Sequence, residues 1–259
     1  MKILAIGDIV GRPGRKAIAS LVPDLRKKEK LDFVIANGEN AAGGSGLTPR
    51  VTEEILSSGI DVITSGDHIW RKKEIIPVIE SEQRLIRPAN YPKSVPGRGY
   101  TVIKTENNIK VAVVNLIGRV FMQALESPFS TVDSLLDEIK KRTPLIIVDM
   151  HAEATSEKIA MGWFLDSRVT AVVGTHTHVQ TADERILPAG TAYITDLGMT
   201  GPIDSVLGRN VDRVLEHFIT GMPAHFDMAK ENVQLQGVII EIDDDSLQAK
   251  GIKRIKLKA

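Results

Sequence analysis

Short β-branched runs alternate along the chain with stretches whose apolar residues recur every three or four positions. That alternation predicts strand–helix units rather than an all-β or all-α chain. The strand candidates are KILAI, FVIA, DVIT, VAVVNL, LIIV, TAVV and AYIT. Thr48-Pro49 ahead of RVTEEILSS predicts a helix start, with threonine as N-cap and proline in the first turn. Ser156, between HAEAT and EKIAMGWFL, predicts another. YTVIKTENNIKVAVVNL reads as a hairpin turning at Asn107-Asn108. LQGVIIEIDDDSLQAKGIKRIKLK reads as a second hairpin that closes a sheet, and the proline-rich RPANYPKSVPGRG as one surface loop. There is no low-complexity linker and no fixed-period repeat, so one domain over residues 1–259 is the economical reading. The strands outnumber what one parallel sheet needs, which predicts two sheets.

The polar residues that interrupt this pattern fall at the ends of the predicted strands. KILAI leads to Gly7-Asp8, FVIA to Asn37-Gly38-Glu39-Asn40, and DVIT to Ser65-Gly66-Asp67-His68. LIIV leads to Asp149-Met150-His151, and TAVV to Gly174-Thr175-His176-Thr177-His178. Ligands of α/β sheets bind outside the carboxyl ends of strands, so side chains from these five turns can meet in one crevice. Four of the six histidines sit in this set; His217 and His225 do not, and their surroundings read as helix or loop. Residues two apart in extended backbone point to the same side, whereas in a helix they diverge by roughly 200°. Extended backbone is therefore expected at His176 and His178, with both imidazoles reaching one site. A single His-x-His more often satisfies local backbone groups in a turn. Five strand ends carrying ligand-type residues reverse that balance.

Composition narrows the chemistry. The chain has no cysteine, which excludes disulfides, thiolate nucleophiles and cysteine-held zinc or iron–sulfur centres. A metal must be held by His, Asp, Glu, Asn, backbone or water, a set suited to Mn, Fe, Zn or Mg. Roughly seven or eight candidate ligands exceed the three or four protein ligands of one zinc. Two ions sharing a carboxylate, about 3.5–4 Å apart, fit better; such a pair activates a shared hydroxide and stabilises a phosphoryl group during in-line displacement. Lysine plus arginine and aspartate plus glutamate number 33 each, giving zero net charge. That argues against a broad surface for extended nucleic acid or an anionic membrane. No apolar run approaches a membrane span, and MKILAIGDIVGRPG lacks the apolar region and cleavage site of a secretory signal. A cytoplasmic location is the expectation.

Six motifs now stand in order from Met1 to the C-terminal hairpin: GDIVGRPGR, NGENAAGG, TSGDHIW, DMHAEATSEK, GTHTHVQTADE and TDLGMTGP. Together they resemble the YmdB-like branch of the calcineurin-like metallophosphoesterases. The resemblance implies a four-layer α/β/β/α sandwich of two mixed sheets. It also implies a binuclear-metal phosphodiesterase acting on a small diester, 2′,3′-cyclic nucleotides. Carried over by position, it implies that Asp8, Glu39, Asn40 and His178 hold one metal. Glu39 would bridge to a second, completed by Asp67, His151 and His176. A hydroxide shared by the metals would attack phosphorus in line. His68 would act as general acid toward the leaving ribose oxygen, a role suited to an imidazole tuned near neutrality. The two ions, divalent or mixed-valence, would be Fe, Mn or Zn, with the identity open. Where the wider superfamily has Asp-x-His, Val10 takes the histidine position and Asn40 compensates. Where it has Gly-Asn-His, Asp67 replaces the asparagine. This extra carboxylate is expected to tighten metal binding and slow turnover, or to change metal preference.

Other positions carry weaker signals. Arg12 is a candidate phosphate contact near Asp8; Arg15 either joins it or starts a solvated helix face. AAGGSG after Asn40 predicts a close backbone approach or a mobile rim. Asp149 is expected to orient a histidine or to cap a turn. Glu153 and Glu157 are expected at a helix start, and Asp183 and Asp196 in loop support. Trp70 reads as a packing anchor more than as a base-stacking surface. Asn115 and Arg119 match the family without an assignable role. Rival readings keep the cluster and change its use: a phosphomonoesterase, a nuclease acting on RNA ends, or a metal-bound regulatory or RNA-binding protein with incidental turnover. Neutral charge and the lack of an aromatic-basic stripe count against the last. Homo-oligomerisation stays open.

Overall fold

A computed structural model describes the chain from Met1 to Ala259. The first half contains β1 (Lys2–Ile6), β2 (Asp8–Ile9), α1 (Gly11–Glu29), β3 (Phe33–Asn37), α2 (Pro49–Ser57), β4 (Val62–Thr64), α3 (Ile76–Ser81), β5 (Tyr100–Lys104) and β6 (Lys110–Ile117). The second half contains α4 (Pro128–Lys140), β7 (Ile146–His151), α5 (Thr155–Leu165), β8 (Ala171–Thr175), β9 (Arg185–Ile186) and β10 (Ala192–Ile194). It closes with β11 (Met199–Pro202), α6 (Val211–Thr220), β12 (Val233–Ile242) and β13 (Ala249–Lys258). All seven strands read from the sequence are present. The hairpins form as expected: β5 pairs antiparallel with β6 across a turn holding Asn108 at φ 65°, and β12 pairs with β13.

The strands divide into two mixed sheets. One runs β2-β11-β12-β1-β3-β4, with β13 added on β12; the other runs β5-β6-β7-β8-β10-β9. Side chains alternate along β1: Leu4 and Ile6 pack against Ile18 and Val22 of α1 and Ile55 of α2. Ile3 and Ala5 face the other way, meeting Val113, Ile147 and Val173 of the second sheet. The second sheet repeats the pattern, placing Val114 and Val148 against Leu136 of α4 and Met161 of α5. This two-residue alternation builds the expected α/β/β/α sandwich, because each sheet buries one face on its partner and one on helices.

Helix starts follow local chemistry unevenly. Thr48 caps α2 by accepting from the Val51 amide at 3.2 Å, with Pro49 in the first turn. α5 begins at Thr155 rather than at Ser156, and no side chain caps it. Two parallel sets decide where the site lies: β1-β3-β4 in one sheet and β6-β7-β8 in the other. Their carboxyl ends deliver the polar turns to one edge of the sandwich.

Candidate metal centre

Asp8 follows β1, Glu39 and Asn40 follow β3, and Asp67 and His68 follow β4. His151 ends β7, and His176 and His178 follow β8. All eight side chains converge. Ligand atoms of Glu39, Asp67, His151 and His176 lie within 4.8 Å of one another and could hold a metal ion. The His151 Nε2 is 3.2 Å from Glu39 Oε2, 3.5 Å from Asp67 Oδ1 and 3.0 Å from His176 Nδ1. A second group adjoins it: His178 Nε2 is 3.7 Å from Asp8 Oδ1 and 3.1 Å from the Asn40 amide nitrogen. That amide also donates to Glu39 Oε1 at 3.0 Å. Glu39 thus turns one oxygen to each group. His68 sits beside it, with Nδ1 2.9 Å from Asn40 Oδ1.

The donor set fits cations. Asp8 Oδ1 and Asp67 Oδ1 are buried and have no hydrogen-bond partner, an arrangement that costs free energy unless a cation satisfies them. A Cβ added at Gly66 would overlap His151 Nε2 and Glu39 Oε2, so only glycine leaves the cradle open. The outer ring nitrogens have acceptors. His151 Nδ1 is 2.9 Å from Thr175 Oγ1, whose hydroxyl donates to Asp149 at 2.7 Å. His178 Nδ1 donates to the Leu207 carbonyl at 3.2 Å, and His176 Nε2 lies 3.3 Å from Glu153 Oε2. Protons held on the outer nitrogens leave the inner lone pairs for metal.

Without a cation the rings differ in protonation. Burial pushes Asp8 up to about 6, against the lowering influence of His178 and His151. Burial also takes His176 down to about 3, assisted by the charge of His151, so its imidazole is neutral. For His151 burial favours the neutral ring, yet Glu39 outweighs it and raises the histidine well above its usual range. Glu39 is correspondingly held well below the carboxylate range, its burial outweighed by His151 and His68. A proton on His151 does, in part, the work of a cation.

Comparison with known proteins places this geometry. The profile of the family described as YmdB-like protein matches residues 4–255. The chain belongs to the YmdB-like family. A Bacillus subtilis (strain 168) protein named 2′,3′-cyclic-nucleotide 2′-phosphodiesterase is 52% identical over 255 residues, covering 98% of this chain and 96% of that protein. A crystal structure of a hypothetical protein from Thermus thermophilus superposes with a TM-score of 0.93 at 39% identity, covering 100% of this chain and 99% of that one. The crystal structure of a Mycoplasma pneumoniae protein titled a novel phosphatase also gives 0.93, at 36% identity, covering 100% and 93%. The YmdB-like sandwich is of the metallophosphoesterase type.

Several sequence expectations for this YmdB-like chain need correction. His176 and His178 are not in extended backbone: their φ values are 95° and 62°. Both rings still reach the cluster because the loop is tied down from several sides. The His176 amide donates to Asp8 Oδ2 at 3.1 Å, and the Thr177 amide to Asp196 Oδ2 at 3.2 Å. Arg12 is not brought to the cluster. It lies on the exposed face of α1 and lines a separate groove with Lys16 and Lys230, because the buried side of that helix is Gly11, Gly14, Ala17 and Ile18. Arg15 instead pairs with Glu54 at 2.9 Å and donates to the Ala41 carbonyl at 2.6 Å, which anchors the turn after Asn40.

Glu153 contacts His176 and does not simply complement a helix start. Glu157 accepts the Arg119 and Val120 amides at 3.0 and 3.3 Å. Asn115 accepts the Ser65 amide at 3.0 Å and so holds the turn that carries Asp67. Asp149 acts through Thr175 to orient His151. Trp70 is a packing anchor, meeting Tyr91 edge to face with ring centroids 6.1 Å apart.

The chief miss is the far wall. A cleft of about 460 Å³ opens from Glu39, Asn40, His68, His176 and His178, and is closed on its other side by α6 and the segment after it. His217, Phe218, Phe226 and Arg209 line it. The alternation of strands and strand ends gives no signal for that wall, which is built from a helix that follows the last of the six motifs. The only cue is the aromatic content of HFITGMPAHF.

Proposed function

We propose that this chain is a dinuclear-metal phosphodiesterase that hydrolyses a small phosphodiester, and that its substrate is a 2′,3′-cyclic nucleotide. The observation that carries this reading is Glu39. It is fully buried and sends one oxygen toward each of two groups of ligand-type side chains, each group containing an unpartnered buried carboxylate oxygen. The relationship to the Bacillus protein supplies the substrate class. Asp8, Asn40 and His178 would hold one ion, Asp67, His151 and His176 the other, and Glu39 both. The nitrogen and oxygen donor set accepts iron, manganese or zinc.

When bound, the two ions would supply Lewis acidity toward the phosphoryl oxygens and a nucleophile at neutral pH. The chain's own residues do the rest. His151 and His178 keep their outer protons on Thr175 and Leu207, which fixes the rings. His68 holds the proton for the leaving group. The hydrogen bond that His68 donates to Glu39 raises its pKa, burial opposes this, and the Glu39 and Asp67 charges add to the rise, so the imidazolium persists to higher pH than in a free histidine. Its Nδ1 faces Asn40, which leaves the Nε2 proton for the departing ribose oxygen.

The chain is further read as one domain, since both sheets share the core that backs the site. No helix is long and apolar enough to cross a membrane, and a cytoplasmic location fits that. The test is chromatographic assay of metal-reconstituted protein, with metal content measured on the same preparation. 2′,3′-Cyclic AMP is expected to be cleaved faster than p-nitrophenyl phosphate, bis-p-nitrophenyl phosphate or short RNA. Hydrolysis of none of the diesters would overturn the proposal; preference for the monoester would favour a phosphomonoesterase.

A further inference from the structure

The cleft continues past the cluster into a region that the reaction at phosphorus does not use. We propose that this far end is a nucleobase subsite, with Phe218 as its stacking face and Phe226 and His217 as its back wall. The inference rests on the phosphodiesterase reading and extends it to the part of the substrate that the metals do not touch.

Three observations support it. First, Phe218 is 76% exposed on α6, a helix whose only buried residue is Val214. An open aromatic face beside a polar site is a costly arrangement for a side chain with only a packing role, and it is what a flat heterocycle stacks on. Second, the back wall is fixed. His217 and Phe226 meet edge to face, 5.5 Å between centroids at 76°. The His217 Nδ1 donates to the Met222 carbonyl at 2.8 Å, which leaves Nε2 as a free acceptor for a base amine.

Third, the wall is held in register with the proposed metal ligands. Leu207, just before α6, accepts from His178 Nδ1. Arg209 ties the Phe226 carbonyl at 3.1 Å to the Gly44 carbonyl at 2.6 Å, so it clamps the wall to the turn that follows Asn40. A ligand with its phosphate at the cluster therefore meets aromatic rings at a set place. The cleft volume of about 460 Å³ is in the range of small-molecule sites. A nucleoside has the required shape: a charged end and a planar apolar end.

The experiment compares metal-loaded wild type with Phe218→Ala, Phe218→Trp and the control Ile219→Ala. Ile219 is 79% exposed on the same helix and does not line the cleft. Substrates are 2′,3′-cyclic AMP and its base-free counterpart, methyl ribofuranoside 2,3-cyclic phosphate. Wild type is expected to prefer the nucleotide. Phe218→Ala should lose about 5- to 150-fold of that preference, mainly through KM, the range for one stacked base. Phe218→Trp should keep the preference, as should Ile219→Ala.

Equal kcat/KM for the two substrates in wild type would overturn the subsite. So would a Phe218→Ala defect of the same size on both, or one that tracks a change of oligomeric state in light scattering; the latter would make α6 a protein contact. Calorimetric binding of adenosine 3′-monophosphate needs no turnover and separates the two readings. Binding that weakens in Phe218→Ala while wild type cleaves no diester would sustain the subsite and remove the activity. Binding that is unaffected by Phe218→Ala would remove the subsite.

Discussion

The Glu153 carboxylate lies 3.3 Å from the outer nitrogen of His176, on the side of the ring away from His151 and Asp67. A negative charge there stabilises the tautomer with its proton on Nε2 and frees Nδ1 for the cluster. Glu153→Ala is therefore expected to weaken metal binding at the His176 group by about 10–100-fold, the usual effect of losing a partner of a ligating histidine. Glu153 is half exposed, so the metal-free protein should keep its stability within about 0.5 kcal/mol. Metal titration monitored by calorimetry, alongside thermal unfolding of the metal-free variant, separates the two effects. Unaltered affinity would mean that the carboxylate does not orient the ring.

The origin of this contact shows what the sequence makes legible. The strands are readable because a strand buried on both faces of its sheet is apolar at successive positions, as Ile3, Leu4, Ala5 and Ile6 are in KILAI. The candidate ligand set is readable because parallel strands deliver their following turns to one edge. The backbone at His176 and His178 is not. Left-handed φ at a non-glycine residue is stabilised by distant groups, here Asp8, Asp196 and Leu207, and costs of order 1–3 kcal/mol that local patterns do not reveal. Glu153 escapes sequence reading for a related reason: its partner, His176, stands on a different strand end. Phe218 and His217 sit on a helix whose role is visible only once α6 is seen across the cleft from His68.

Beneath the His176–His178 loop, Lys158 and Asp196 form an ion pair of 2.7 Å with both side chains buried. Asp196 also accepts from the Thr177 amide and hydroxyl, so the pair fixes the loop that carries two proposed ligands. Lys158→Met leaves the carboxylate buried without its cation and is expected to destabilise the fold by about 3–5 kcal/mol. At about 2–4 °C per kcal/mol for a chain near this size, Tm should fall by about 6–20 °C. Adding Asp196→Leu should recover part of that loss, because the unpaired charge is then gone. A double variant less stable than Lys158→Met would show that Asp196 supports the loop mainly through Thr177.

Asp183 gives a pH dependence remote from the cluster. Burial raises its pKa, but hydrogen bonds from Thr181 and Thr195 outweigh it and leave the carboxyl below its usual value of 3.8. The Thr195 amide donates to Asp183 Oδ1 at 3.2 Å. A depressed folded pKa means that the group contributes stability above its unfolded value and loses it as pH falls through the folded one. Wild type should therefore exceed Asp183→Asn in Tm at pH 7, with the gap narrowing once the pH drops below about 3.8. Thermal unfolding of both proteins between pH 7 and pH 2.5 reads this directly. A gap that is constant with pH would assign the difference to packing and not to charge.

Asp67 is where the chain departs from the asparagine expected of the wider superfamily, and its placement gives two separate readouts. Its Oδ1 is buried without a hydrogen-bond partner, 3.5 Å from His151 Nε2 and 3.8 Å from His176 Nδ1. Its Oδ2 lies 3.7 Å from His68 Nε2. An amide oxygen in place of Oδ1 would still ligate, but with less charge, so Asp67→Asn is expected to weaken binding of the neighbouring ion by about tenfold or more. The less neutralised ions should then be stronger Lewis acids, and kcat should rise. The second readout is the proton on His68. Glu39 is the main cause of its raised pKa, and Asp67 contributes to it. Removing that charge lowers the pKa, so the imidazolium is lost earlier and the alkaline limb of the kcat profile should move to lower pH. Metal titration and a kcat profile from pH 6 to pH 10 test these together. A variant with weaker metal binding and an unmoved alkaline limb would keep Asp67 as a ligand and remove His68 as the acid.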